Sequence, residues 1–384
     1  MSEVTVRTPQ KRDSNLELFR IITMLFIVAH HYVVNSGLMA QDGPIYGAVL
    51  SLPSQFLLMF GAFGKTGINC FVLITGYFMC KSRITASKFF KLLFEIMFYK
   101  IVIGLIFMFS GYQDFSLKVL AKMLMPFMSV KQNFPDSFLL FFLFIPFLNV
   151  LVKHLSHKQH VLLLLLCAVT YIFFGTVPFF QVDMNYVSWF MVLFLMGSYI
   201  RLYPKKVYER TGLWGLLMAL SLLMSLLSVL ACSWLGTRLN RNMAYTFVQD
   251  ANTLLAVTNG VTSFLFFKNL KIKHSKWINA LGASTFGVLL IHSNSDTMRQ
   301  WLWKDVLDNV GMYSSPWMPV HAIVSILVIF LVCSGVDYLR IHFLEKPFMK
   351  WWDKVWDKCS YIFRKLENKV ANNPVDEQHI SVTN

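Results

Sequence analysis

Residues 16–39 read LELFRIITMLFIVAHHYVVNSGLM, an apolar run that nevertheless carries Glu17, Arg20, His30 and His31. The run is long enough to cross the hydrocarbon core of a bilayer, about 30 Å thick. Arg20 and His31 stand eleven positions apart, which at about 100° per residue is close to three full turns, so one helix face carries both. A rise of about 1.5 Å per residue places Arg20 near one membrane surface and His31 roughly 16 Å deeper. Ionisable side chains are costly inside a bilayer and mark function there by default. The run therefore points to a membrane enzyme whose first span holds chemistry.

Composition agrees with the membrane. Hydrophobic residues make up 56% of the chain, charged residues 14%, and the mean hydropathy is +0.54. A soluble domain carries roughly 25% charged residues. The formal charge of +15 raises nucleic acid as a partner, but the Lys and Arg residues form short runs between apolar segments, as a topology signal does, so none is expected. The six cysteines are scattered without metal-ligand or redox spacing and read as packed thiols. No metal site or bound cofactor is expected. Lys11 and Arg12 precede the first run as in a secretory signal, but His30, His31 and Arg20 mark it as a retained span.

Spans are expected at 17–38, 60–80, 89–110, 136–153, 161–178, 185–202, 212–232, 249–267, 277–294 and 319–341. These about ten transmembrane helices make an all-α, polytopic integral membrane protein. Residues 44–59, with Pro44 and Pro53, read as a re-entrant or surface segment. With the N-terminus in the cytoplasm, 25 of the 35 Lys and Arg residues fall in inside segments and 7 in outside loops. That bias expects both termini in the cytoplasm. The division is then a tail over 1–15, a membrane domain over 16–343 and a basic amphipathic tail over 344–384. In the tail, Trp351, Trp352, Val355, Trp356, Cys359, Phe363 and Leu366 recur at helical steps between basic residues. This suits an anionic lipid surface or docking on the protein's own loops.

Several polar residues carry candidate chemistry. Glu17 lies three residues before Arg20 and can pair with it. His31, at mid-depth, can take a proton from a hydroxyl, since histidine titrates near neutral pH. His30 points about 100° away and reads as a supporting or packing residue. In the second span Gly61, Gly64 and Gly67 allow a neighbouring helix to approach closely. Asn69 and Thr75 need partners in lipid, either a substrate or another helix. Beyond it Lys81, Arg83, Lys88 and Lys91 serve the positive-inside rule and also suit the phosphates of a nucleotide-type donor. In the ninth span His292 stands near the outer boundary, either at the interface or as a binding residue.

Together these stretches resemble the membrane acyltransferase-3 family: Arg20 and His31 in the first span, Gly67 to Phe78 in the second, Ser284 to His292 in the ninth, and Leu344-Glu345-Lys346-Pro347 after the tenth. The resemblance runs from about 14 to 350. It implies transfer of an acetyl group from cytoplasmic acetyl-CoA to a hydroxyl of a cell-surface polysaccharide or a glycolipid precursor, in a bacterial plasma membrane. His31 is then the catalytic histidine, Arg20 its partner, and Lys81 and Arg83 part of the donor-binding stretch. Lys88 and Lys91 stand where many members have arginine, and lysine holds phosphate without a bidentate fork. Many relatives carry an extracytoplasmic hydrolase-like domain after the last span. This sequence has a short basic tail there, which implies direct transfer or a separate partner transferase. Apart from the resemblance, a transporter or flippase of lipid-linked glycans also places charges in spans, and a glycan polymerase is a third reading. Inverted repeats would favour the flippase and a large outer loop the polymerase, and the sequence shows neither.

Overall fold

The computed structural model describes residues 12–356 and 358, apart from 83, 128–132, 178 and 181–183. Among these residues every regular element is helical. In chain order they are α1 (Ser14–Val34), the single turn α2 (Pro44–Gly47), α3 (Leu52–Phe60), α4 (Gly64–Met79), α5 (Ala86–Phe109) and the short α6 (Leu117–Leu124). The middle of the chain gives α7 (Phe134–His154), α8 (His157–Cys167), the one-turn α9 (Phe174–Thr176), α10 (Tyr186–Leu202), α11 (Thr211–Leu239) and α12 (Leu254–Asn269). Last come α13 (Lys276–Ala283), α14 (Thr285–His292), α15 (Asp296–Gln300) and α16 (Met318–Arg340).

Seven stretches are long and apolar enough to cross a membrane: α1, α3 with α4, α5, α7, α8 with α9, α11, and α16 with its extension to Trp356. The other three expected spans are helical but shorter or broken: α10, α12, and α13 with α14, which meet at Ser284. The chain is a polytopic, all-α membrane protein.

One expectation needs correction. Residues 44–59 do not form a surface segment throughout, because α3 begins at Leu52 and runs on towards α4 as a 28-residue apolar stretch whose most apolar part is largely buried. Pro53 sits in the first helical turn, where its missing N–H is no loss. The Ser51 side chain accepts from Ser54 N and closes the helix start.

α4 is the centre of the bundle, packed against α1, α10 and α12. Its contact with α10 is backbone to backbone: a Cβ at Gly76 would lie 2.7 Å from Phe194 Cα, and one at Gly197 would lie 2.6 Å from the Leu73 carbonyl oxygen. Small residues of this kind let helices meet where lipid supplies no hydrophobic drive. α1 packs on α4 from another side and also touches α13, α14 and α16. Peripheral helices behave oppositely, with the α8–α9 stretch 11% buried and Val320, Val324, Leu327, Leu331 and Val332 of α16 exposed to lipid.

α16 passes through a π-helical turn (Ile341–Glu345) and continues as helix to Trp356. There Phe348 stacks on Phe94 at 4.3 Å, Trp352 and Trp356 lie against Phe90, and Ser87 donates to Asp353 at 2.7 Å. The described part of the tail thus docks on the start of α5. Cys359, Phe363 and Leu366 lie outside the described residues.

A buried charge cluster locks this junction. Arg340 bonds Glu95 at 3.1 Å, Asp337 at 2.9 Å and Glu345 at 2.7 Å, and Glu345 also takes Lys91 at 2.7 Å. Tyr99 adds a hydrogen bond to Asp337. Three carboxylates around one guanidinium neutralise a desolvated charge that would otherwise be prohibitive.

Candidate functional site

α1 carries both Arg20 and His31, at opposite ends. At the Arg20 end the guanidinium pairs with Glu17 at 2.8 Å, and Arg12 reaches the same carboxylate at 3.2 Å. Gly282 of α13 lies against Glu17, where an added Cβ would sit 2.5 Å from Oε2. Asn15 fastens this end of α1 to α12 by donating to the Phe267 and Lys268 carbonyls.

At the other end α1 and α14 finish, and α4, α7 and α10 begin. A cavity of about 210 Å³ opens among these helix ends. His30, His31, Lys65, Tyr186 and Arg299 line it with Asn133, the residue before α7. His31 lies in the last turn of α1, and His292 is the last residue of α14.

The two histidines form a directed pair. His292 Nδ1 lies 2.6 Å from the Val288 carbonyl oxygen, and its Nε2 lies 2.9 Å from His31 Nδ1. A carbonyl only accepts, so His292 carries its proton on Nδ1 and its Nε2 must accept. His31 therefore donates through Nδ1–H, and its own Nε2 is left as a lone-pair nitrogen. Among the described residues Nε2 makes no hydrogen bond, and the ring lines the cavity. The arrangement holds a neutral imidazole in one tautomer with a base at the cavity wall, the geometry general-base catalysis requires.

His30 was expected to support from outside. It lines the same cavity, its ring 6.0 Å from that of His31, and it donates from Nδ1 to the Gly61 carbonyl at 2.7 Å. Two rings 100° apart on a helix can still flank one space when the facing helix comes close. Gly64 provides that approach, because a Cβ there would lie 2.3 Å from His30.

The sequence reasoning missed two cations. Lys65, in the first turn of α4, donates to the Tyr186 hydroxyl at 3.0 Å, and among the described residues no carboxylate is within ion-pairing distance. Arg299 reaches the cavity from α15 and pairs with the outward-facing Asp296 at 3.0 Å. A lysine inside an apolar, glycine-rich stretch was the available signal for the first. For Arg299, placed in an outer loop, the sequence held none.

The other expected site residues lie elsewhere. Asn69 is fully buried, donating to the Ala251 carbonyl at 2.7 Å and accepting from Trp189 Nε1 at 2.9 Å. Thr75 bonds the Phe71 carbonyl of its own helix. Both spend their hydrogen bonds on the bundle, so Asn69 offers nothing to a reacting group, and neither it nor Arg20 lines the cavity. His292 is fully buried behind His31 rather than at the interface. Lys81 and Lys88 are exposed at the end of the molecule that carries the tail, Lys91 pairs with Glu345, and Arg83 lies outside the described residues.

Comparison with known families bears on this arrangement directly. The pattern of the family described as Acyltransferase domain (acyltransferase-3) matches residues 13–336. The chain belongs to the acyltransferase-3 family. It is a multi-pass membrane acyltransferase. The match takes in α1 through most of α16, including both histidines, and stops short of Leu344–Pro347. No curated protein and no solved structure matches the chain.

Proposed function

We propose that this acyltransferase moves an acetyl group from cytoplasmic acetyl-CoA to a hydroxyl of a cell-surface polysaccharide or its lipid-linked precursor, in a bacterial plasma membrane. The observation that carries the reading is the free Nε2 of His31, fixed by the His292–Val288 chain at the wall of a cavity that also holds Lys65 and Arg299. With both termini in the cytoplasm, as the Lys and Arg distribution favours, this cavity lies towards the outer face. Exposed Lys81 and Lys88 then lie on the side from which acetyl-CoA arrives.

In the proposed reaction the acceptor hydroxyl donates its hydrogen bond to His31 Nε2. Its oxygen attacks the thioester carbonyl carbon as the proton passes to that nitrogen. The new C–O bond leaves an oxyanion, for which Lys65 and Arg299 are the cations at hand. Collapse re-forms the carbonyl and breaks the C–S bond, and the sulfur leaves as CoA thiol with the proton that His31 held. His31 returns to its starting protonation state at the end of each turnover.

The test is NMR of the surface polysaccharide from cells making the wild-type protein, no protein, or His31→Ala. Acetyl signals lost in the last two, with the glycan backbone intact and the variant present in the membrane, support the reading. Unchanged acetylation refutes it, and loss of the polymer itself points to a polymerase or flippase.

A further inference from the structure

Resting on the proposed glycan acylation, we infer that the acceptor is an anionic glycan, bearing a carboxylate or a phosphodiester close to the hydroxyl that reacts. The site's charge is the argument. Beside the His31 cavity lies a second, polar cleft of about 500 Å³, and Asn133 and Arg299 belong to the walls of both. Lys100, Lys122 and Arg299 line this cleft. Among the described residues its one lining carboxylate is Asp296, whose side chain is 98% exposed. The inner cavity has Lys65 and Arg299 on its walls and no carboxylate among its described lining residues.

Local neutralisation is partial. Lys100 is paired with buried Asp136 at 2.6 Å, and Arg299 with Asp296. Lys65 donates to the Tyr186 hydroxyl with Asp250 farther off, and among the described residues neither Lys65 nor Lys122 has a carboxylate within ion-pairing distance. Among the described lining residues of the two cavities, four cations, Lys65, Lys100, Lys122 and Arg299, stand against the one carboxylate of Asp296.

The placement runs against the chain's own bias. Only 7 of 35 Lys and Arg residues fall in the outer loops, since positive charge there opposes the orientation signal. Two of those seven, Lys122 and Arg299, converge on this cleft together with the span lysine Lys100, and Lys65 lines the inner cavity beside it. Cations gathered in a partly dry cleft attract and orient an anion. The amides Gln113, Asn133 and Asn294 in the same cleft suit the hydroxyls of a sugar, and the cations beside them suit a negative charge on it.

The experiment uses full-length protein in lipid nanodiscs, labelled acetyl-CoA, and the glycan isolated from cells lacking the protein. That glycan is offered as isolated, after chemical reduction of its carboxylates, and after removal of its phosphodiesters with hydrofluoric acid. Neutralising the responsible group is expected to lower kcat/KM at least tenfold, and which treatment does so names the anion. Lys122→Glu is expected to raise KM for the untreated glycan about fivefold, the scale of one partly exposed charge contact. Lys122→Arg is expected to restore it. Equal rates on charged and neutralised glycan overturn the inference. So does a Lys122→Glu effect that falls on KM for acetyl-CoA, which would assign the cations to the donor's phosphates. Failure of the wild-type protein to acetylate any of the three preparations refutes the glycan acylation itself, and the inference falls with it.

Discussion

Replacing His292 by leucine tests the tautomer argument more sharply than removing His31 does. His292 touches no reacting group in the proposed mechanism; it acts by accepting the His31 Nδ1 proton at 2.9 Å while its own Nδ1 is held by Val288. Leucine fills the volume but accepts nothing, so the His31 N–H is left buried without a partner, a cost of about 1–3 kcal/mol. The imidazole escapes that cost by turning or by moving its proton to Nε2, and either change removes the base from the cavity. A shift of that size in the population of the active form corresponds to a fall of roughly 10- to 100-fold in kcat. KM for acetyl-CoA should change far less. Transfer of labelled acetyl by purified protein in nanodiscs, with a melting curve beside it, provides the measurement. His292→Gln should recover part of the rate, because its side-chain oxygen can accept the same proton. Wild-type kcat in His292→Leu with a normal melting temperature would refute the directed-pair reasoning.

Other perturbations address the frame around the site. Gly64→Ala places a Cβ 2.3 Å from His30, and overpacking of this kind costs about 1–3 kcal/mol; thermal melting should fall and acetyl transfer should fall further, because α1 and both histidines shift. Arg340→Ala strands Glu95, Asp337 and Glu345 without their common cation, a loss of about 3–5 kcal/mol that should appear as poor yield and early melting in detergent, with Arg340→Lys recovering little because a single ammonium cannot reproduce the fork. Asn69→Ala leaves Trp189 Nε1 unpartnered and should lower stability by about 1–3 kcal/mol without raising KM for either substrate; a raised glycan KM at normal stability would return Asn69 to the binding residues.

The bundle was readable in the sequence because hydropathy acts over whole spans and tolerates local errors. Each of the ten expected windows holds a helix, and the misplaced start of the second came from reading Pro53 as a breaker when it opens a helix. The three glycines of that span were read for what they do, since small residues in an apolar helix have few uses besides close approach. The site was half legible. His31 announced itself through the cost of an ionisable group in lipid, but its pairing with His292 joins residues 261 positions apart, and no periodicity within either span contains that contact. Asn69 and Thr75 carried the same signal of polarity in an apolar segment and turned out to serve the fold. Polarity inside a span says that a partner exists and leaves open whether the partner is a substrate or a neighbouring helix. Lys91 shows the same ambiguity in charge, bound to Glu345 rather than standing free in a basic loop.

The cluster around Arg340 sets an order on the making of the protein. Glu95 lies in α5, an early span, while its guanidinium partner arrives at the end of the last. At about 5–20 residues per second the intervening chain takes on the order of tens of seconds to synthesise. Through that interval α5 must hold an acidic side chain in or near the bilayer without the ion pair that justifies it. Final docking of α5 therefore waits for α16, and a chain that stops before Arg340 leaves Glu95 without its guanidinium partner. The last helix thus acts as a latch, and a nascent protein lacking it presents the membrane's quality-control machinery with a clear mark of incompleteness.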